Sequence, residues 1–232
     1  MKSMAAPRTF HPHPHLYAIV RAVIRFLVWL LTRTQVHGLE NLPAHGPYIV
    51  LTNHLSALDP PLIMAVVPDP ICVFAAHTHR HEFIVGELMN MVGAIWVRRG
   101  EVDRKALYAA LDVLSKGGII GMAPEGTRSK TGALQRGRIG AAYLATRANV
   151  PLVPFALTGT EVGLPAVFRL TRPRITVTIG RPFRLPQAGS QVDRRQLQEH
   201  TELIMQTLAS MLPEKYRGVY QDCVAPMPPK DE

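Results

Sequence analysis

Cysteine is scarce in this chain of 232 residues: there are two, Cys72 and Cys223, far apart. That excludes a disulfide framework. A single distant bridge is open but nothing supports it, and a reduced chain is the simpler reading. Aromatic residues make up only 6% and are not interleaved with the basic positions, which argues against a stacking platform for nucleic acid. No apolar run reaches the ~20 residues that a membrane span requires. The best candidate, Leu16 to Leu31, is interrupted by Arg21 and Arg25, and no small-x-small cleavage site follows it to suggest a secretory leader. No Gly-x-Ser-x-Gly elbow is present either, so the chain offers no serine nucleophile of that kind. Acidic residues are in deficit, 17 against 26 lysines and arginines, for a formal net charge of +9. That balance predicts an anionic partner, and the aromatic shortage narrows it to a phospholipid surface or a phosphorylated small molecule.

The length suits one α/β domain with a sizeable core and terminal extensions. Residues 1–15, with His11-Pro12-His13-Pro14-His15, are expected to be disordered, because alternating prolines deny both helix and sheet. Residues 16–47 read as a helix and a link. Arg21 and Arg25 share one helical face, with Thr32 continuing the stripe, while Leu16, Ile19, Val20, Val23, Phe26, Leu27 and Leu30 take the rest. Such a helix suits the headgroup region of a membrane, with both arginines snorkelling to lipid phosphates. A core helix with two exposed arginines is the alternative. From Tyr48 onward, strand-like runs (Tyr48–Thr52, Ile71–Ala75, Ala94–Val97, Gly118–Ala123, Leu152–Leu157, Arg174–Ile179) alternate with helix-like ones (Pro61–Val67, Glu82–Met91, Asp103–Lys116, Gly137–Asn149). A last helix starts at Asp193. This alternation predicts an α/β domain over 48–212, with a largely parallel sheet flanked by helices. Residues 213–232, rich in proline, read as a loose tail.

Chemistry is concentrated after the first of these strands. Asn53-His54-Leu55-Ser56-Ala57-Leu58-Asp59-Pro60 places a histidine five positions before an aspartate. A histidine held by a carboxylate is a general base that works near neutral pH, since the anion sets the tautomer and stabilises the imidazolium. With no serine elbow, the hydroxyl to be activated belongs to the substrate. Taken alone the spacing is short enough to arise by chance, and Asp59 before Pro60-Pro61 also reads as a helix N-cap. The two readings are compatible if the intervening residues turn.

Pro124-Glu125-Gly126-Thr127-Arg128-Ser129 follows the strand Gly118–Ala123. It is not a nucleotide loop: Pro124 removes a backbone donor, and Thr127-Arg128 stands where Lys-Ser/Thr is required. Arg128, Thr127 and loop N–H groups suit a phosphate monoester, and a solvated surface turn is the alternative. In Trp96-Val97-Arg98-Arg99 successive side chains face opposite ways, so at most one arginine enters a cleft. Val150-Pro151-Leu152-Val153-Pro154 reads as structural, or as the wall of an apolar tunnel. His77-Thr78-His79-Arg80-His81 reads as polar surface rather than a metal site, because no cysteine and only Glu82 lies near it.

Together and in this order, four blocks resemble the lysophospholipid and glycerol-phosphate acyltransferase family, especially bacterial 1-acylglycerol-3-phosphate acyltransferases. They are Asn53-His54-x4-Asp59, Gly93-x-Ile95-Trp96-Val97-x-Arg99, Pro124 to Ser129, and Val150 to Pro154, about half the chain. The resemblance implies a glycerol-3-phosphate acyltransferase-like fold preceded by the docking helix. It implies His54 as base and Asp59 as its orienting partner. Arg99, Glu125, Gly126, Thr127, Arg128 and Arg138 would handle the glycerol-phosphate acceptor. Arg98, Arg138 and His77 depart from the residues common at those positions (an acid, a lysine and a lysine). The implied reaction is acyl transfer from acyl-CoA or acyl-carrier protein to 1-acylglycerol 3-phosphate, without metal or resident cofactor, at the cytoplasmic face of a membrane as a peripheral, monotopic protein. Transfer to another lysophospholipid or to glycerol 3-phosphate is the rival within the class. A hydrolase, with water in place of the alcohol, and a basic membrane-binding protein without chemistry are rivals outside it.

Overall fold

Seven strands account for the sheet: β1 (Arg33–His37), β2 (Tyr48–Thr52), β3 (Ile71–Ala76), β4 (Ile95–Val97), β5 (Ile119–Met122), β6 (Leu152–Thr158) and β7 (Arg174–Ile179). They come from a computed structural model that describes residues 14–77, 86, 89–90, 93–97, 103–186 and 193–222. The order is β1-β7-β6-β2-β5-β3-β4, parallel throughout except where β7 runs antiparallel to β6. The largely parallel sheet predicted from the β-α alternation is therefore present, with a reversed pair of strands at one edge.

Helices cover both faces. α1 (Pro14–Leu31) and α2 (Asp59–Val66) lie on one, and α3 (Arg104–Ser115), α4 (Ile139–Ala148) and α6 (Arg194–Met211) on the other. Burial on two faces explains why β2 is apolar from Tyr48 to Leu51 instead of alternating. Tyr48 and Val50 enter the core beneath α1 and α2, while Ile49 and Leu51 enter the core beneath α4 and α6. Asp103 and Asp193 cap α3 and α6, accepting from Ala106 N (3.2 Å) and Gln196 N (2.7 Å). The short helices α5 (Gly163–Phe168) and α7 (Glu214–Arg217) are also present among the described residues. The run Glu82–Met91 lies largely outside the described residues, as do Arg98 and Arg99.

Three expectations are corrected. The link after the first helix contains β1, whose sequence Arg-Thr-Gln-Val-His has no apolar run because it is an edge strand paired only to β7. The tail after Pro213 is not loose through Asp222: Tyr216 and Tyr220 are buried. The Tyr216 hydroxyl donates to Glu161 Oε1 (2.6 Å) and accepts from Gly159 N (3.1 Å), and the Tyr220 hydroxyl accepts from Gly137 N (3.2 Å). Finally, α1 does not aim both arginines at solvent. Arg21 donates from Nε to Met64 O (3.1 Å) and from Nη2 to Ala65 O (3.2 Å), satisfying carbonyls in the last turn of α2. With Tyr17, Val20 and Ile24 it faces the protein, and Ile19, Val23, Phe26 and Trp29 face outward. No helix among the described residues is long and apolar enough to cross a membrane.

Candidate active site

The chain leaves β2 through Asn53, whose carboxamide pairs with both backbone groups of Leu157 in β6. Nδ2 donates to Leu157 O (2.9 Å), and Oδ1 accepts from Leu157 N (2.8 Å). This side chain extends the β2–β6 pairing and fixes the point from which His54 projects. The His54 backbone is held on both sides by the loop after β5. Its N–H donates to Glu125 Oε1 (3.1 Å), and its carbonyl accepts from Ser129 N (2.7 Å).

A turn through Ser56, Ala57 and Leu58 then brings Asp59 back to the ring. Asp59 Oδ2 accepts from His54 Nδ1 (2.7 Å), Leu55 N (2.7 Å) and Ser56 N (2.8 Å). Asp59 is the first residue of α2 rather than its N-cap, a position that Leu58 takes. The following residues, Pro60 and Pro61, have no N–H for a cap to bind, so the carboxylate turns back to the loop and the histidine. Asp59 is buried, and His54 is partly open to a cleft. A carboxylate only accepts, so Nδ1 carries the hydrogen and the basic lone pair is on Nε2.

The cleft has a volume of about 610 Å³. Ile63, Val73, Phe74, Val97, Leu107 and Met122 supply apolar lining, and Thr52, His54, Gly126, Thr127, Arg104 and Arg138 supply polar lining. The cleft can therefore take a ligand that carries both a hydrocarbon chain and an anionic group. Gly126 adopts φ +68°, and a Cβ there would come within 2.9 Å of the Arg138 side chain, so the glycine lets Arg138 lie against the loop. Arg138 N donates to Pro124 O (2.8 Å), tying the start of α4 to the same loop.

The predicted site residues therefore separate. His54, Asp59, Gly126, Thr127 and Arg138 meet at the cleft. Arg128 is exposed beside Thr127 without lining it, and Arg99 lies outside the described residues. Glu125 is corrected from a ligand-facing group to a strut: it is buried, and its two oxygens accept from His54 N and from Gln135 N (2.9 Å). Burial raises the Glu125 carboxyl above its ordinary value, opposed by those amide bonds. Four backbone donors of the first motif are engaged within the protein. His54 N goes to Glu125, Leu55 N and Ser56 N to Asp59, and Leu58 N to Ser56 Oγ (3.0 Å).

Arg104 was missed by sequence reasoning. Its only signal was a basic residue directly after the cap Asp103, which reads as a helix start rather than a cleft residue. The run Leu152–Pro154 is structural: Leu152 and Val153 are fully buried and neither lines the cleft. Cys72 is a buried free thiol pushed up to about 11 by burial. His77 packs edge-on against Trp96, while His79 and His81 lie outside the described residues.

The profile of the Acyltransferase family matches residues 33–158. The chain is 29% identical over 148 residues to a 1-acyl-sn-glycerol-3-phosphate acyltransferase of Borreliella burgdorferi, covering 62% of this chain and 59% of that protein. It is 32% identical over 164 residues to a chloroplastic protein of the same name from Brassica napus, covering 68% and 45%. It is 30% identical over 132 residues to the Mus musculus alpha form, covering 56% and 46%. The chain thus matches about half the length of these curated relatives. Among solved structures, the 1-acyl-sn-glycerophosphate (LPA) acyltransferase from Thermotoga maritima aligns with a TM-score of 0.59 at 23% identity, covering 81% of this chain and 78% of that one. At that identity the likeness establishes the fold.

Proposed function

From a chain that belongs to the Acyltransferase family, we propose acyl transfer from a thioester, acyl-CoA or acyl-carrier protein, to the free hydroxyl of 1-acylglycerol 3-phosphate, giving phosphatidic acid. The observation that carries this reading is the 2.7 Å contact between His54 Nδ1 and the buried Asp59 carboxylate, at a cleft with apolar and cationic lining.

In the proposed step, His54 Nε2 takes the proton of the acceptor hydroxyl as its oxygen attacks the thioester carbonyl carbon. The tetrahedral intermediate then expels the thiolate, the C–S bond breaks, and the imidazolium returns the proton to sulfur. Asp59 stays ionised throughout and stabilises the transient imidazolium. The step balances with these groups alone. General-base help of this kind typically supplies 10²–10⁴ in rate. Arg138 and Arg104, with Thr127, are suited to the acceptor phosphate, and a guanidinium–phosphate pair adds about 1.5–3 kcal/mol per charge-assisted bond. The apolar lining would take an acyl chain, and the outward face of α1 would dock on the membrane.

The test is mass spectrometry of products after incubation with mixed acyl-CoAs or acyl-carrier proteins and 1-acylglycerol 3-phosphate. Phosphatidic acid from the native protein and its near-complete loss in a folded His54→Ala variant is the expected result. Acylation of glycerol 3-phosphate or another lysophospholipid instead would move the acceptor. Retained turnover without the imidazole would remove the base.

A further inference from the structure

Beyond α1, the two most exposed large apolar side chains among the described residues, Phe168 and Leu170, lie in one excursion. β6 ends at Thr158, and the chain runs out through α5 before returning as β7. Here Phe168 is 79% exposed and Leu170 69%, with Val162 and Leu164 also open; within α5 only Val167 is buried. Leu170 adopts φ +55°, a left-handed conformation uncommon for a branched apolar residue. The loop thus holds this side chain in water despite an unfavourable backbone.

The excursion is bonded to the end of α1. Arg172 Nη2 donates to Trp29 O (3.1 Å) and Thr32 O (3.4 Å), and Arg33 N donates to Pro173 O (2.8 Å). The C-terminal end of α1 is therefore tied to the chain just after the apolar tips Phe168 and Leu170. Arg33, Arg169 and Arg174 are exposed beside them. The acid of the excursion, Glu161, is already engaged by the Tyr216 hydroxyl and by Lys215 Nζ (3.7 Å). Strand register places all of this at one end of the strands. Thr158 pairs with Thr176 near the start of β7, and Arg174 at that start pairs with Arg33. His54 leaves the same end, since Thr52 pairs with Phe155 in the parallel strand β6.

We infer that residues 162–172 form a second membrane-docking element which, with the outward face of α1, seats the His54 end of the strands on an anionic phospholipid surface. Apolar tips that sink below the headgroups, interleaved with arginines long enough to reach phosphates, match the layered chemistry of a bilayer. A protein partner would have to supply both layers on one surface. The purpose of this arrangement rests on the proposed reaction, in which acceptor and product are both membrane lipids. The docking itself is read by binding and does not require turnover.

The test compares the full chain with its Phe168→Ser/Leu170→Ser variant and an Arg169→Gln/Arg174→Gln variant. The probes are vesicles of phosphatidylcholine alone and of phosphatidylcholine with phosphatidylglycerol. A large apolar side chain withdrawn from water contributes about tenfold or more to partitioning. The apolar variant is expected to lose at least about tenfold in binding to anionic vesicles while keeping its melting temperature. The arginine variant is expected to lose binding to anionic vesicles and to abolish the preference for them. Vesicle binding by the apolar variant equal to that of the native chain would overturn the inference. So would light scattering showing that the patch instead joins two copies of the chain in the absence of lipid. Normal docking with no acyl transfer would leave this surface standing and sink only the proposed reaction.

Discussion

Asp59→Asn separates the charge of the proposed base-orienting group from its geometry. Three donors converge on Asp59 Oδ2. An asparagine must present its carbonyl oxygen to them and place its NH2 where Oδ1 now lies. His54 keeps its tautomer and position, and only the negative charge is lost. With charge centres about 4 Å apart and an effective dielectric near 20, the imidazolium–carboxylate attraction is about 4 kcal/mol. At about 1.4 kcal/mol per decade, that is roughly a thousandfold in kcat. Stability should also fall by about 1–3 kcal/mol, because the three bonds to Oδ2 lose their charge assistance. The assay is steady-state acyl transfer, with urea unfolding as the control. The acceptor KM should barely move, since the carboxylate does not bind acceptor. A loss below about tenfold in a folded variant would refute the role assigned to the charge.

Other consequences can be checked alongside. Glu125→Gln should lower kcat by about tenfold or more, because an amide cannot accept from both His54 N and Gln135 N and the histidine loses one anchor. Burial raises the native carboxyl, so its contribution to stability should decline as pH rises above the ordinary 4.5, and the glutamine variant should lack that decline in urea titrations. Arg138→Ala and Arg104→Ala should raise the acceptor KM by about tenfold, with a smaller change for Arg128→Ala, which lies outside the cleft lining. A larger effect at Arg128 would move the phosphate site outward. His200, near-buried and bonded to Thr146 Oγ1 (3.0 Å), is lowered by burial below its ordinary 6.5. The unfolded chain then binds the proton more readily, so stability is lost as pH falls below that value. His200→Gln should blunt the drop in urea midpoint between about pH 7.5 and about pH 5.

Much of this was legible in residue order. The strand runs were visible because two-sided burial demands unbroken apolar stretches, as at Tyr48–Leu51. The helix start at Asp59 was visible because Pro60 and Pro61 suit only a first turn. The reactive pair was visible because histidine and aspartate there follow a strand directly. β1 was not, since an edge strand needs no apolar signature. Nor was the inward turn of Glu125, whose partners stand 71 and 10 positions away. Arg21 and Arg25 look alike on a helical wheel, yet only Arg21 meets carbonyls of α2, 43 and 44 residues on.

Local periodicity and turn chemistry depend on neighbours along the chain, so residue order alone determined the α/β alternation, the candidate base and its carboxylate. Which strand lies beside which, which charges face inward, and which apolar residues converge beside His54 depend on contacts between distant segments. Those only the folded chain decided, because each polar group buried by packing must find its partner wherever the topology has placed one.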